Sequence, residues 1–260
     1  MLSKRNKNKS FLTYRIQPNL TLIGCSFFLF CFLFLLYTVS NYNGIFYYGP
    51  IYSLADAYIW FLKPRAYGIL ITPFIAIIYI NLTKYDSMHS ILIRLGAVEL
   101  WIKRKVITAI LLSIVVAVIA IAVITCITSL QVTSIINWDK EQSVYYIMTG
   151  HINGQVGFVH VIFMSFITIF IRNMFLCFTI ILLQMLVNNI FTFLFITSIT
   201  IFEMIQKYIP LFYHFITLDY KLWESPALVS LYFGYCIAAI GFFALAITKF
   251  SKKKEWMNEV

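Results

Sequence analysis

The side chains that most often carry out enzyme chemistry are scattered along this sequence and do not recur at a catalytic spacing. His89, His151, His160 and His214 belong to no HExxH motif, and no GxSxG motif supplies a serine nucleophile. The five cysteines form no CxxC pair and lie in or beside apolar runs, as small buried residues do. The sequence therefore predicts no catalytic site, no metal site and no cofactor bound by the chain itself.

Energy sources for transport also leave sequence signals. No GxxxxGK[ST] motif is present, so the chain is not expected to bind ATP through a P-loop of its own. Carriers driven by protons or sodium place acids within the membrane, and the nearest candidate here is Glu203. We interpret Glu203 as an interfacial residue near the outer end of an apolar run. The chain then resembles a conduit or scaffold that lacks its own motor.

One substantial internal segment, 86–105, is both charged and helix-like (DSMHSILIRLGAVELWIKRK). Its apolar residues recur at steps of three and four, which predicts an amphipathic helix with one apolar stripe: Met88, Ile91, Leu95, Val98 and Ile102. A second, mixed stripe contains Arg94 and Trp101, residue types that often anchor protein interfaces. Two interpretations stay open. The helix docks a partner protein, or it lies on anionic lipid and ends at the basic run 103–105.

The composition indicates a membrane protein built from helices. The chain is 61% hydrophobic and 12% charged, with a mean hydropathy of +0.86, whereas soluble domains carry about 25% charged residues. The long continuous apolar runs favour helices over the short alternating segments of a β-barrel. The net charge of +10 does not indicate nucleic-acid binding, because the basic residues flank apolar runs, where they determine topology.

We predict an all-α integral membrane protein with a single transmembrane domain over residues 1–260. Its six transmembrane helices are placed at 20–40, 68–80, 106–130, 161–187, 190–205 and 227–247. Fourteen of the 20 basic residues fall in the predicted inner segments and five in the outer ones. By the positive-inside rule, both termini and the 86–105 helix are then cytoplasmic.

The predicted outer segments are rich in aromatic residues. Residues 41–67 are expected to lie on the outer membrane surface, because amphipathic rings settle at the headgroup level. Residues 131–160 form a polar outer loop, and residues 206–226 form a second aromatic outer segment before the last span.

Arg172 interrupts the fourth apolar run, and arginine at the bilayer centre costs about 2.5–3.5 kcal/mol on insertion scales. Either residues 156–171 form an interfacial helix that leaves Arg172 near the outer headgroups, or span four is long and Arg172 faces the protein interior. We favour the first arrangement, so the limits of span four stay open.

Small residues recur on one face of two predicted spans. Such stripes allow a second helix to approach closely. For the third span, packing within the chain is the preferred interpretation and a seam between subunits is the alternative; for the last span both stay open. The residues are Ala109, Ser113 and Ala117 in the third span, and Gly234, Ala238 and Gly241 in the last.

The arrangement resembles the membrane subunits of ABC-2-type ABC transporters, particularly the small divergent permeases of low-GC Gram-positive bacteria. The resemblance covers the whole chain in architecture. In local sequence it rests on the run from Ile93 to Gly96, followed by Trp101 and the basic run 103–105. Such permeases often read Arg-apolar-Gly-Ser here, and this chain has Ala97 in place of the serine.

The resemblance implies a subunit of a multi-pass transporter in a bacterial cell membrane, surrounded by lipid. Two permease chains, identical or related, would pair with separate ABC ATPase subunits that bind ATP and Mg²⁺. The 86–105 segment would contain the coupling helix, with the ATPase contacted by Met88, Ile91, Arg94, Leu95, Val98 and Trp101. Residues 206–226 would be re-entrant.

The substrates of such systems are often amphipathic, such as antimicrobial peptides, bacteriocins, lipids or drugs, and export is the expected direction. The alternative function is a membrane immunity protein or scaffold that transports nothing. Neither the substrate nor the identity of the second permease chain follows from the sequence.

Overall fold

The described part of the chain is mainly helical and contains no strand longer than an isolated bridge, as the apolar runs predict. The computed structural model describes Gly24, Cys31 and residues 51–63, 67–83, 98–205 and 217–258. A π-helical turn, Tyr67–Ile71, leads directly into α2, and a 3-10 turn, Tyr220–Glu224, precedes α7. The helices in chain order are α1 Leu54–Phe61, α2 Thr72–Thr83, α3 Val98–Ser129, α4 Val144–Thr149, α5 Phe158–Leu186, α6 Asn189–Ile205 and α7 Pro226–Asn258.

Three of these helices are long and apolar enough to cross a membrane. They are the segments Ile102–Ser129 of α3, Phe158–Leu186 of α5 and Ala227–Lys249 of α7. Each exceeds the roughly 20 residues that a bilayer crossing needs. Two shorter apolar helices, Thr72–Thr83 and Asn189–Phe202, lie within or beside predicted spans two and five. Predicted span one falls outside the described residues, apart from Gly24 and Cys31, which are helical.

Contacts at the helix ends show that the apolar helices alternate in direction. Tyr79, near the end of α2, donates a hydrogen bond to the backbone carbonyl of Lys105 in the early turns of α3. Lys105 in turn bonds Gln184, near the end of α5, and Gln184 bonds Asn189, the first residue of α6. We call this side of the bundle the Lys105 end. The opposite side, the Asp56 end, contains the start of α1, the loop between α3 and α5, and the 3-10 turn.

Helix α5 is the centre of the bundle. In its most apolar stretch 67% of the residues are buried within the chain, against 28% for α3 and 17% for α7. Helix α3 packs against α5 more extensively than any other described pair of elements. The small residues of α3 allow this approach, because Ala109, Ser113, Ala117 and Ala120 are fully buried.

Residues 51–63 differ from the predicted surface loop. They contain α1, which packs against α3 and α5 and is buried along most of its length. Ser53 precedes α1 as its N-cap, and Asp56 occupies the third helical position, where its carboxylate accepts from the Ser53 backbone N–H. This bond belongs to a capping box between Ser53 and Asp56, which stabilises the start of the helix. Tyr58, expected at the lipid headgroups, is fully buried and bonds Thr125 of α3.

The second half of the predicted cytoplasmic helix 86–105 is not a separate helix in the structure. Residues 98–105 are the first turns of α3 and continue into the membrane-spanning part without a break. The physical reason lies in the sequence, because no glycine or proline occurs between Val98 and Ser129. The first half of the predicted helix lies outside the described residues.

Candidate functional site

Asp56 lies in a polar site at one end of an otherwise apolar bundle, and its side chain is fully buried. One carboxylate oxygen accepts from the backbone N–H and the hydroxyl of Ser53, at 2.8 and 2.7 Å. The other accepts from the Trp138 indole N–H at 2.9 Å and from the Tyr220 hydroxyl at 3.1 Å. Three segments that are distant in sequence therefore meet at one carboxylate.

The charge state of Asp56 is set by two opposing effects. Burial raises the pKa of the Asp56 carboxyl above its usual range, whereas the hydrogen bonds from Ser53, Trp138 and Tyr220 lower it. Burial and the neighbouring Asp56 carboxylate raise the pKa of Tyr220, so its phenol keeps the proton that it donates. Four donors at two oxygens suit an ionised carboxylate, which only accepts.

Aromatic rings enclose this site. Trp138 stacks on Tyr145 with ring centroids 4.7 Å apart, and it meets Tyr220 and Trp223 edge to face at 6.2 and 5.7 Å. Such pairs contribute about 0.5–1.5 kcal/mol each beyond the area they bury. We call Ser53, Asp56, Trp138 and Tyr220 the Asp56 cluster. It fixes α1 to the loop between α3 and α5 and to the 3-10 turn.

Arg172 is the second buried charge, and its position corrects the predicted interfacial arrangement. Helix α5 runs unbroken from Phe158 to Leu186, and Arg172, near its midpoint, is 1% exposed. No glycine or proline interrupts this helix. Span four is therefore long, and Arg172 faces the protein interior.

The Arg172 guanidinium joins three elements. Its Nη1 donates to the Leu62 carbonyl at 2.9 Å, and its Nη2 donates to the Thr217 hydroxyl at 2.9 Å. Leu62 is the C-cap of α1, where the final carbonyls lack helical partners and carry the negative end of the helix dipole. The guanidinium also lies 4.5 Å from the ring centroid of Tyr67, whose hydroxyl donates to Asn173. Arg172 therefore holds the C-terminal end of α1 against α5.

Lys105 is the third buried charge, and it lies at the opposite end of the bundle. Its side chain is fully buried, whereas that of Lys103, two residues earlier, is exposed. The Lys105 ammonium donates to Gln184 of α5, and Gln184 donates to Asn189 of α6 at 2.9 Å. One residue of the predicted basic run thus connects α3 to the turn between α5 and α6.

We expect Lys105 to react with a water-soluble acylating reagent more than about tenfold more slowly than Lys103, because acylation of a buried amine requires local opening. The measurement is time-resolved labelling of the full-length protein in micelles, with fragmentation mass spectrometry to separate the two lysines. Unfolding the protein in denaturant is the control and should equalise the rates. Equal rates in the folded protein would contradict the buried position of Lys105.

The predicted site residues fall into three groups. Met88, Ile91, Arg94 and Leu95 lie outside the described residues. Val98 and Trp101 belong to the first turns of α3. The small-residue stripes differ from each other: Ala109, Ser113 and Ala117 are buried within the chain, whereas Gly234, Ala238 and Gly241 are exposed on α7.

The sequence analysis missed Asp56 as a site residue, although one signal was present. Ser53 and Asp56 form an S-x-x-D pattern ahead of the apolar run 57–62, which is the pattern of a helix N-terminus. The partners Trp138 and Tyr220 are more than 80 residues away from Asp56 and follow from no local pattern. Within the described part of the chain, His, Cys, Asp and Glu side chains form no group of three that could hold a metal ion.

Comparison with known proteins leaves the assignment to physical argument. No protein-family model matches this sequence, and neither a curated protein nor a solved structure matches it.

Proposed function

We propose that this chain is the permease subunit of an ATP-driven transporter of the ABC-2 type, placed in a bacterial cell membrane with six spans and both termini in the cytoplasm. The observation that supports the proposal is that α2 ends at Thr83 and α3 begins at Val98 on the same side of the bundle, the Lys105 end. The charged sequence between them would then contact a separate ATPase, which would bind the ATP and Mg²⁺ that this chain has no P-loop to hold.

The charges at the two ends support this orientation. At the Lys105 end, the start of α3 and the end of α7 carry two acids, Glu99 and Glu255, against a larger set of bases: Lys103, Arg104, Lys105, Lys249, Lys252, Lys253 and Lys254. Among the described residues, the Asp56 end carries three bases, Lys63, Lys140 and Lys221. A basic end belongs on the cytoplasmic side by the positive-inside rule.

The buried charges suit a transport subunit better than a passive anchor. Ionisable residues inside a membrane bundle are costly and mark functional positions by default. Arg172 binds the end of α1, and Lys105 binds the turn between α5 and α6, so both connect helices that a coupling movement would shift. Two such chains with two ATPase subunits would export an amphipathic substrate.

We expect the double substitution of Arg94→Ala and Trp101→Ala to weaken binding of the ATPase more than about 30-fold, since even one anchor residue of these types contributes about 2 kcal/mol or more. The chain should still reach the membrane in normal amount. The measurement is co-purification from native membranes, with mass spectrometry to identify the ATPase. Lys140→Ala with Ile147→Ala, exposed at the opposite end, is the matched control.

Retention of the ATPase by the double variant would show that the 86–105 segment does not bind the ATPase. If the unmodified chain captures no ATPase and no ATPase gene lies beside its own, the immunity or scaffold function replaces transport.

A further inference from the structure

A half-open cleft of about 590 Å³ lies beside the Asp56 cluster. It is formed by the loop that precedes α5, the first turns of α5, the 3-10 turn and the first turn of α7. Its lining includes Tyr145, Asn153, His160, Met164, Trp223 and Glu224. Its volume falls within the range of about 300–1,000 Å³ that is usual for ligand sites.

Hydrogen bonds hold the loop wall of this cleft in place. The Asn153 backbone N–H donates to the Trp138 carbonyl at 2.8 Å, and its side-chain amide donates to the Trp223 carbonyl at 2.7 Å. The Asn153 side-chain oxygen accepts from the Gln155 backbone N–H at 3.1 Å. One asparagine thus ties the loop to the 3-10 turn, so the cleft is formed before any ligand arrives.

The floor of the cleft is apolar. The Trp223 and Tyr145 rings lie beneath it and are only 3% and 1% exposed, and His160 meets Trp223 edge to face at 5.5 Å. The apolar surface that a ligand can reach belongs to Ile152, Val156 and Met164. This floor suits an apolar side chain.

The rim of the cleft carries one formal charge. Glu224 is exposed and lines the opening, and no lysine or arginine belongs to the lining. Asp139 adds negative charge nearby, since its Cβ would lie 3.7 Å from a Cβ built at Gly154, another lining residue. A cationic group at this rim is favoured by the carboxylate charge.

We propose that this cleft binds a short cationic and apolar peptide segment, with an apolar side chain on Ile152, Val156 and Met164 and a protonated amine at Glu224. The proposal concerns binding to this chain alone, so it stands or falls separately from coupling to an ATPase.

The test titrates purified full-length chain, in nanodiscs of uncharged lipid, with the N-acetylated tetrapeptide amide Leu-Lys-Leu-Lys by calorimetry at pH 7.5. Nanodiscs without protein correct for partition into lipid. Leu-Glu-Leu-Glu, blocked in the same way, is the charge-reversed probe and should bind at least about tenfold more weakly, since a like charge at the rim repels it.

Two variants localise the binding. Glu224→Gln should weaken binding of the cationic probe about three- to tenfold, which is the effect expected from removing one exposed charge. Glu141→Gln, an exposed acid outside the cleft, is the matched control and should leave the affinity unchanged. Ser230→Phe, at an exposed lining position on α7, should abolish binding by filling the cleft.

The proposal is overturned if the cationic probe does not bind, if both probes bind equally, or if Ser230→Phe binds like the unmodified chain. Equal losses from Glu224→Gln and Glu141→Gln would also overturn it, because they would indicate a diffuse surface charge effect.

Discussion

Replacing Arg172 with methionine is expected to lower the free energy of unfolding by about 3.5 kcal/mol or more. Each hydrogen bond from a charged donor contributes about 1.5–3 kcal/mol, and the contact with the Tyr67 ring adds about 0.5–2 kcal/mol. The substitution also removes the cost of an arginine in the bilayer. That cost applies to the folded and the membrane-inserted unfolded chain alike, so most of it cancels. The loss of the contacts therefore decides the sign.

The loss should be concentrated at α1. Without the guanidinium, the Leu62 carbonyl loses its donor and the C-terminus of α1 loses a neutralising charge. Amide hydrogen exchange across 54–62 should accelerate more than exchange across the core of α5. The free energy of unfolding of Arg172→Lys should lie between those of the unmodified protein and Arg172→Met. An ammonium is a point charge and cannot reproduce the fixed geometry of the two guanidinium hydrogen bonds.

The measurements are denaturant titration in micelles and hydrogen exchange with mass spectrometry. Lys140→Met, which removes an exposed charge at the Asp56 end, is the control and should leave both unchanged. An unfolding free energy for Arg172→Met within about 0.5 kcal/mol of the unmodified protein, the usual range for surface substitutions, would contradict this account.

Arg172 also illustrates where sequence reasoning stops. Local hydropathy establishes that a charge interrupts an apolar run, and two arrangements satisfy that pattern equally well. The choice depends on whether acceptors exist inside the bundle. Those acceptors, Leu62 and Thr217, lie 110 and 45 residues away and come from segments that local patterns assign to the surface.

The long helices were predictable because their signal is local. Predicted spans 106–130, 161–187, 190–205 and 227–247 lie close to α3, α5, α6 and the apolar part of α7. Continuous apolar runs without helix breakers leave few alternatives in a membrane. The start of α3 was predicted at residue 106, at the end of the basic run, whereas the helix begins at Val98. The prediction was wrong because charge alone does not end a helix.

Residues 51–63 were assigned to the wrong environment because aromatic residues fit two environments equally well. Tyr58 and Trp60 suit the headgroup layer of a membrane, and they also suit the interior of a helix bundle that has polar groups buried at one end. The distinguishing residue is Asp56, whose S-x-x-D spacing with Ser53 predicts a helix start but not its burial. Burial follows from Trp138 and Tyr220, which local patterns cannot supply.

Replacing Asp56 with asparagine is expected to cost about 1–3 kcal/mol of stability, the penalty for one buried donor left without an acceptor. The geometry forces this penalty. One side of the carboxylate faces the Ser53 backbone N–H, and the other faces the Trp138 indole N–H; both groups can only donate. Whichever way the asparagine amide turns, its NH₂ group faces one of them.

A double-mutant cycle separates this cause from a general loss of packing. In a Trp138→Phe background the indole N–H is absent, so the NH₂ group of asparagine can turn to that side, where the Tyr220 hydroxyl can accept from it. Asp56→Asn should then cost less than in the unmodified chain, with a coupling of about 0.5–3 kcal/mol. Asp139→Asn, an exposed acid in the same loop as Trp138, is the control and should show no coupling. Additive costs for Asp56→Asn and Trp138→Phe would show that the indole donor does not recognise the carboxylate. The Asp56 cluster would then act only through the packing of its rings.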